Sequence, residues 1–126
     1  MHWFSNGVAL LAAAGIIGIG TMYLARPRTM THNFGLPLPE AGNNTTWWLR
    51  LKGSRDIVSG LVVLAMMFWG TPVLLGIVLL IEAIIPTSDM STILAAKGST
   101  ATALGVHGLT AALMIAGAVP LLLGVA

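Results

Sequence analysis

The chain has 126 residues, 56% of them hydrophobic and 8% charged, with no cysteine and a formal net charge of +2. Soluble domains carry about 25% charged residues, so this composition excludes a water-facing globule and points to lipid as the solvent; the missing cysteines exclude disulfides, thiolate metal sites and thiol nucleophiles. Six basic residues against four acids do not supply the dense basic surface that nucleic acid requires.

The length fits one domain. A first membrane helix is expected from Asn6 to Ala25, stopped by Arg26-Pro27-Arg28. The start Met1-His2-Trp3-Phe4 has no basic residues and the apolar run is too long for a signal peptide, so the helix is expected to be retained. Gly15, Gly18 and Gly20 thin one side of it for close helix contact. Residues 26–44 read as a polar loop rich in proline and glycine that could fold back as a lid.

A second helix is expected over 45–69, capped by Thr45 or Thr46, with Trp47 and Trp48 in the interface belt. Gly70-Thr71-Pro72 forms a turn. A third, short helix is expected over 72–85, ended by Pro86, and a fourth over 88–123, capped by Ser88 or Asp89, with an interruption near Lys97-Gly98. The expected fold is therefore an all-α bundle of four transmembrane helices in a single transmembrane domain, 1–126.

Alternating directions put the chain ends on one side (A). Arg26, Arg28, Arg50, Lys52, Arg55 and Lys97 all fall at or just inside the other (B). The positive-inside rule makes B cytoplasmic and both termini non-cytoplasmic. The overlapping sequons in Asn43-Asn44-Thr45-Thr46 lie on side B and are expected to be unused.

Depth separates two kinds of charge. With the interface near Arg50, Asp56 lies roughly 9 Å inside, and His107 is about 12 Å in from Ser99, at 1.5 Å per residue. Glu82 falls in the same half of the bilayer, Arg55 joins that layer, and Asp89 sits at its rim. Ionisable groups within a membrane cost at least ~2.5–3.5 kcal/mol each, so several at one depth should face a shared cavity and pair, for example Arg55 with Glu82 or Asp56 with His107. Gly53, Asp56 and Gly60 share one helix face, and Ala103, His107, Thr110, Ala111 and Met114 share another.

Three roles fit such a cluster: a polar network gluing helices, an acid–base site, and a proton relay. The candidate catalytic residues are Asp56, Glu82, His107, Arg55 and Asp89. The candidate substrate-binding residues at the headgroup level are Arg50, Trp48 and Lys97. Arg50 and Lys52 also suit snorkelling anchors, and His2 and His32 read as terminal and loop histidines. One deep histidine with two carboxylates is too sparse for a metal centre. There is no histidine pair for haem and no glycine-rich phosphate loop, so no metal and no cofactor is expected.

Gly53-Ser54-Arg55-Asp56 followed by Gly60, with Ile85-Pro86-x-x-Asp89 and the His107 helix, resembles a family of short four-helix membrane proteins of unknown function related to the DoxX-like group. The resemblance implies a four-helix bundle, matches Gly53, Arg55, Asp56, Gly60, Asp89 and His107, and implies a loose link to quinone or sulfur redox, for which this chain has no thiol.

The function expected is an enzyme acting on a lipophilic small molecule by acid–base chemistry, of isomerase, cyclase or epoxide-opening type. The alternative is a small transporter or a membrane accessory subunit. The expected partners are the lipid bilayer and a lipophilic small molecule, with no nucleic acid; self-association into a homo-oligomer is open.

Overall fold

The computed structural model of the chain describes residues 2–125. All regular structure among them is helical: α1 (Trp3–Ala25), α2 (Pro27–Phe34), α3 (Asn43–Trp69), α4 (Pro72–Glu82), α5 (Ile84–Ala95), the single turn α6 (Thr100–Thr102), a π-helical segment (Ala103–Gly108) and α7 (Leu109–Leu123).

The punctuation follows from local chemistry. Arg26 precedes proline, which disfavours the α region, and its φ of −137° ends α1. Pro27 then opens α2 at the first helical position, and Gly35 closes it at φ 100°. The polar loop expected over 26–44 thus contains a two-turn helix. Thr71 caps α4, its hydroxyl accepting from the Leu74 amide at 3.3 Å.

The third and fourth helices differ most from the sequence expectation. Pro86 does not end the third helix; the chain stays helical through α4 and α5 from Pro72 to Ala95. The ladder loosens at Ala83, between α4 and α5, so the proline ring lies in the first turn of α5, where it is tolerated. The true stop comes later. The Gly98 amide donates to the Ile93 carbonyl at 2.9 Å and the Lys97 amide to that of Leu94 at 3.1 Å, with Lys97 left-handed at φ 55°. This is a Schellman ending. The fourth helical column begins at Thr100, capped by the Ser99 hydroxyl, not at residue 88. Asp89 accordingly belongs to the third column, and neither it nor Ser88 is a cap.

Four antiparallel columns result: α1, α3, α4–α5, and α6–α7 with the π segment. α1 packs on α3 and α7, and α4 packs on the same two. The α1–α3 seam is the closest. A Cβ at Gly53 would lie 2.6 Å from the Gly20 carbonyl oxygen, and one at Gly60 would lie 2.8 Å from that of Ala13. Of the three glycines expected to thin α1, Gly20 alone does so; Gly15 and Gly18 face open space.

The side-A half is filled by a core of Ala9, Ala13, Val63, Leu75, Leu79, Ala83, Met114, Ala118 and Leu121. Alanine dominates it, as expected where helices are held by close van der Waals contact. Three helices are long and apolar enough to cross a membrane: Trp3–Ala25, Pro72–Ala95 and Thr100–Leu123. Only 22–28% of their apolar stretches is buried within the protein. The remaining apolar surface faces outward, which marks a membrane protein. Every eighteen-residue stretch of α3 contains Lys52, Arg55 and Asp56, and this charge separates it from the other three.

Candidate functional site

Toward side B the columns diverge and enclose a cavity of about 430 Å³. α1 contributes Leu11, Ala12, Gly15, Ile16, Ile19 and Tyr23, and α2 contributes Met30, Asn33 and Phe34. Lys52, Ser59 and Val63 come from α3, and Glu82, Ile85, Pro86 and Asp89 from α4–α5. The fourth column adds Val106, His107, Thr110 and Met114. The wall is mainly hydrocarbon with a few convergent polar groups, the usual build of a small-molecule site.

The polar groups lie on two levels. Seven residues separate Lys52 from Ser59 and Glu82 from Asp89, about 10 Å along a helix at 1.5 Å per residue. The upper level holds Lys52, Asp89 and His107; the lower holds Ser59 and Glu82.

At the upper level His107 Nε2 lies 3.1 Å from the Phe34 carbonyl oxygen. A carbonyl only accepts, so Nε2 carries a hydrogen and donates it. Nδ1 then faces Asp89 Oδ2, at 3.5 Å. One proton belongs to this pair: on the imidazole it makes an imidazolium–carboxylate contact, on the carboxyl it makes Nδ1 the acceptor. The arrangement is an orienter, a ring and an acid, the grouping that proton-transfer sites use. The π segment positions the ring, with the Leu109 amide reaching back to the Leu104 carbonyl. π turns inside α-helices recur at functional sites.

Lys52 Nζ sits 2.6 Å from Asp56 Oδ2, one helical turn away, and lies 4.6 Å from the centre of the Tyr23 ring and 5.3 Å from that of Phe34. The Phe34 ring also packs on the His107 imidazole, with centroids 4.8 Å apart. Phe34 therefore touches both cationic candidates of the upper level with its ring and holds one of them with its carbonyl. At the lower level the Ser59 hydroxyl donates to Glu82 Oε2.

α2 closes the cavity from side B. Beyond the His107 bond, the Gly35 carbonyl accepts from the Ser99 amide at 2.8 Å. Gly98 is glycine because the Gly35 carbonyl and Ile93 leave no room for a Cβ; it is Lys97, not Gly98, that takes the left-handed angle.

Three of the residues expected at the site, Glu82, Asp89 and His107, are brought together by the cavity. Asp56 is buried just behind its wall, reaching it only through Lys52. Arg55, Trp48 and Lys97 are exposed and Arg50 half-buried, and none of these four lines the cavity. The pairs formed are Lys52–Asp56, His107–Asp89 and Ser59–Glu82, not Arg55–Glu82 or Asp56–His107. Sequence reasoning passed over Lys52, Ser59, Phe34, Asn33 and Tyr23. The spacing of Lys52 four before Asp56 was a usable signal; Phe34 carried none.

The cavity is open sideways. Leu11 lines it and is 76% exposed. Leu11, Ala12, Thr110 and Met114 are shared with a second hollow bordered by Trp3, Phe4 and Leu113. The α1–α7 seam thus connects the cavity to the outer, lipid-facing surface.

No curated protein and no solved structure matches the chain. Residues 13–122 match the model of a domain of unknown function, DUF4267. That range takes in the second half of α1, the α2 closure, the other three columns to the last turn of α7 and every residue of the two polar levels, so the chain belongs to the DUF4267 family.

Proposed function

We propose that the protein is a four-span membrane enzyme that admits a lipophilic small molecule through the α1–α7 seam and moves a proton on it. The observation that carries this reading is the His107–Asp89 pair, oriented by the Phe34 carbonyl, at the wall of an apolar cavity. Asp89 and His107 exchange the proton. The Lys52 ammonium, held by Asp56, supports negative charge developing on the substrate. Ile16 and Ile19 exclude water around the reacting group. Isomerisation, cyclisation and epoxide opening need no more than this.

α3 is the fourth span. From Arg50 to Trp69 it extends about 30 Å at 1.5 Å per residue, with its cations toward side B. With Arg26, Arg28 and Lys97 also there, side B is cytoplasmic and both termini are outside. Kinship with the DoxX-like group belongs to this proposal too and rests on the motif at residues 53–60.

The test starts with the organic extract of protein purified from its own membrane, in which mass spectrometry identifies the retained lipophile. Wild type is then compared with His107→Gln and Asp89→Asn in detergent. Both variants are expected to retain the molecule and to convert it at least about 100-fold more slowly, as the loss of a general acid or base does. Conversion at wild-type rate by both variants sinks the proposal. A transporter is the second reading, favoured by the closure of the cavity through a side-chain bond; it predicts movement of the unaltered molecule across a vesicle wall.

A further inference from the structure

Glu82 is the eleventh of the 24 residues from Pro72 to Ala95, near the middle of that apolar stretch. The other ionisable groups at the cavity have counter-charges: Lys52 has Asp56 at 2.6 Å, and Asp89 has His107 at 3.5 Å. Glu82 has none among the described residues. Its one side-chain partner is the Ser59 hydroxyl. A carboxylate so placed is costly until a proton or a cation joins it.

The lower level offers acceptors, and the cavity's ammonium, Lys52, is engaged by Asp56 at the upper level. The Ser59 hydrogen is engaged by Oε2. The nearby Thr110 hydroxyl donates to the Val106 carbonyl at 2.7 Å. Pro86 has no amide hydrogen, so the Glu82 backbone carbonyl lacks its usual partner one turn on. Glu82 and Pro86 both line the cavity. The second carboxylate oxygen and the Ser59 lone pairs are therefore acceptors open to a donor group, and an ammonium supplies three hydrogens and the missing charge together. A bare metal ion would leave a hydrocarbon-walled space of about 430 Å³ unfilled.

From this geometry we propose that the lower level is a binding site for the protonated amine of a lipophilic base, with Glu82 as its counter-ion. The proposal rests on the cavity being a lipophile site and adds the chemical class of the ligand. The amine sits at Glu82, and the hydrocarbon runs along Ile16 and Ile19 toward the upper level.

The test measures saturable binding of radiolabelled dodecylamine to the purified full chain in detergent, with dodecanol as competitor. Dodecylamine is expected to bind, dodecanol to compete at least about tenfold more weakly, and Glu82→Gln to weaken amine binding at least about tenfold, the scale of a charged hydrogen bond. Glu82→Asp, which keeps the charge, is expected to restore part of the loss, and it serves as the reporter if Glu82→Gln does not fold. Equal binding by wild type and the Glu82→Gln variant, equal competition by dodecanol, or no saturable amine binding would each overturn the proposal. Dodecanol binding that depends on His107 and not on Glu82 overturns the amine site while leaving the acid–base reading intact.

Discussion

The His107 imidazole is bonded to the Phe34 carbonyl across 73 residues of sequence, at 3.1 Å, so a ring suited to proton transfer also fastens the segment that covers it. Closure and the proposed chemistry therefore share one side chain. His107→Ala is expected to loosen α2 as well as stop turnover. Losing one hydrogen bond of about 1 kcal/mol raises local opening about fivefold. Hydrogen exchange at the Ser99 amide, which donates to Gly35, reads this directly. Unchanged exchange there would show that the Gly35–Ser99 bond alone holds the cover.

The glycine seam between α1 and α3 predicts a position-specific cost. Gly53→Ala and Gly60→Ala place a methyl within 2.8 Å of backbone or side-chain atoms of α1, and backbone cannot yield cheaply. Each is expected to destabilise by about 1–3 kcal/mol, the range for overpacking. Gly18→Ala, with nothing within 4 Å, is the matched control and is expected to be neutral. Thermal melts in one detergent decide it.

Lys52 and Asp56 predict a double-variant signature. Lys52→Met leaves the Asp56 carboxylate buried without its partner and is expected to cost on the order of 2 kcal/mol. Adding Asp56→Asn removes the orphaned charge, so the double variant is expected to recover more than half of that. Additive losses in the thermal melts would mean that the 2.6 Å contact contributes nothing of its own.

The proposed four-span arrangement predicts sidedness. The chain has no cysteine, so single cysteines report cleanly. Glu40→Cys, in the α2–α3 connection, is expected to react only with a reagent present on the cytoplasmic face. Thr71→Cys, at the α3–α4 turn, is expected to react only from the opposite face. Labelling of both from one side would remove α3 from the membrane.

Much of this was legible in the sequence where it depended on period and depth. The face Gly53-Asp56-Gly60 is buried as a unit, and His107, Thr110 and Met114 do share one wall. What depended on chain reversal was not legible. A proline fifteen residues into an apolar run reads as a stop because it removes a helix hydrogen bond, yet here the ladder only loosens at Ala83 and the helix continues to Ala95. That ambiguity put Asp89 on the wrong column and hid its partner. Lys52 read as a headgroup anchor because one helical turn separates it from Asp56, and depth counted in residues does not resolve one turn. The closure by α2 depends on Phe34 and Gly35 meeting residues more than sixty positions away, a contact with no local signature.

The π segment at Ala103–Gly108 carries an implication at the level of the gene. A π turn holds one residue more than the α turn it replaces, and each residue rotates a helix by about 100°. The extra residue sets the turn of the column after the segment against that before it, with Ala103 fully buried at the segment's start and His107 on the cavity wall. A reading frame short by one triplet across these six codons would encode an unbroken helix, with the residues after the segment turned by about 100° relative to those before it. In-frame loss of a single codon there is thus a route by which a descendant keeps its bundle and loses the placement of His107 at the cavity.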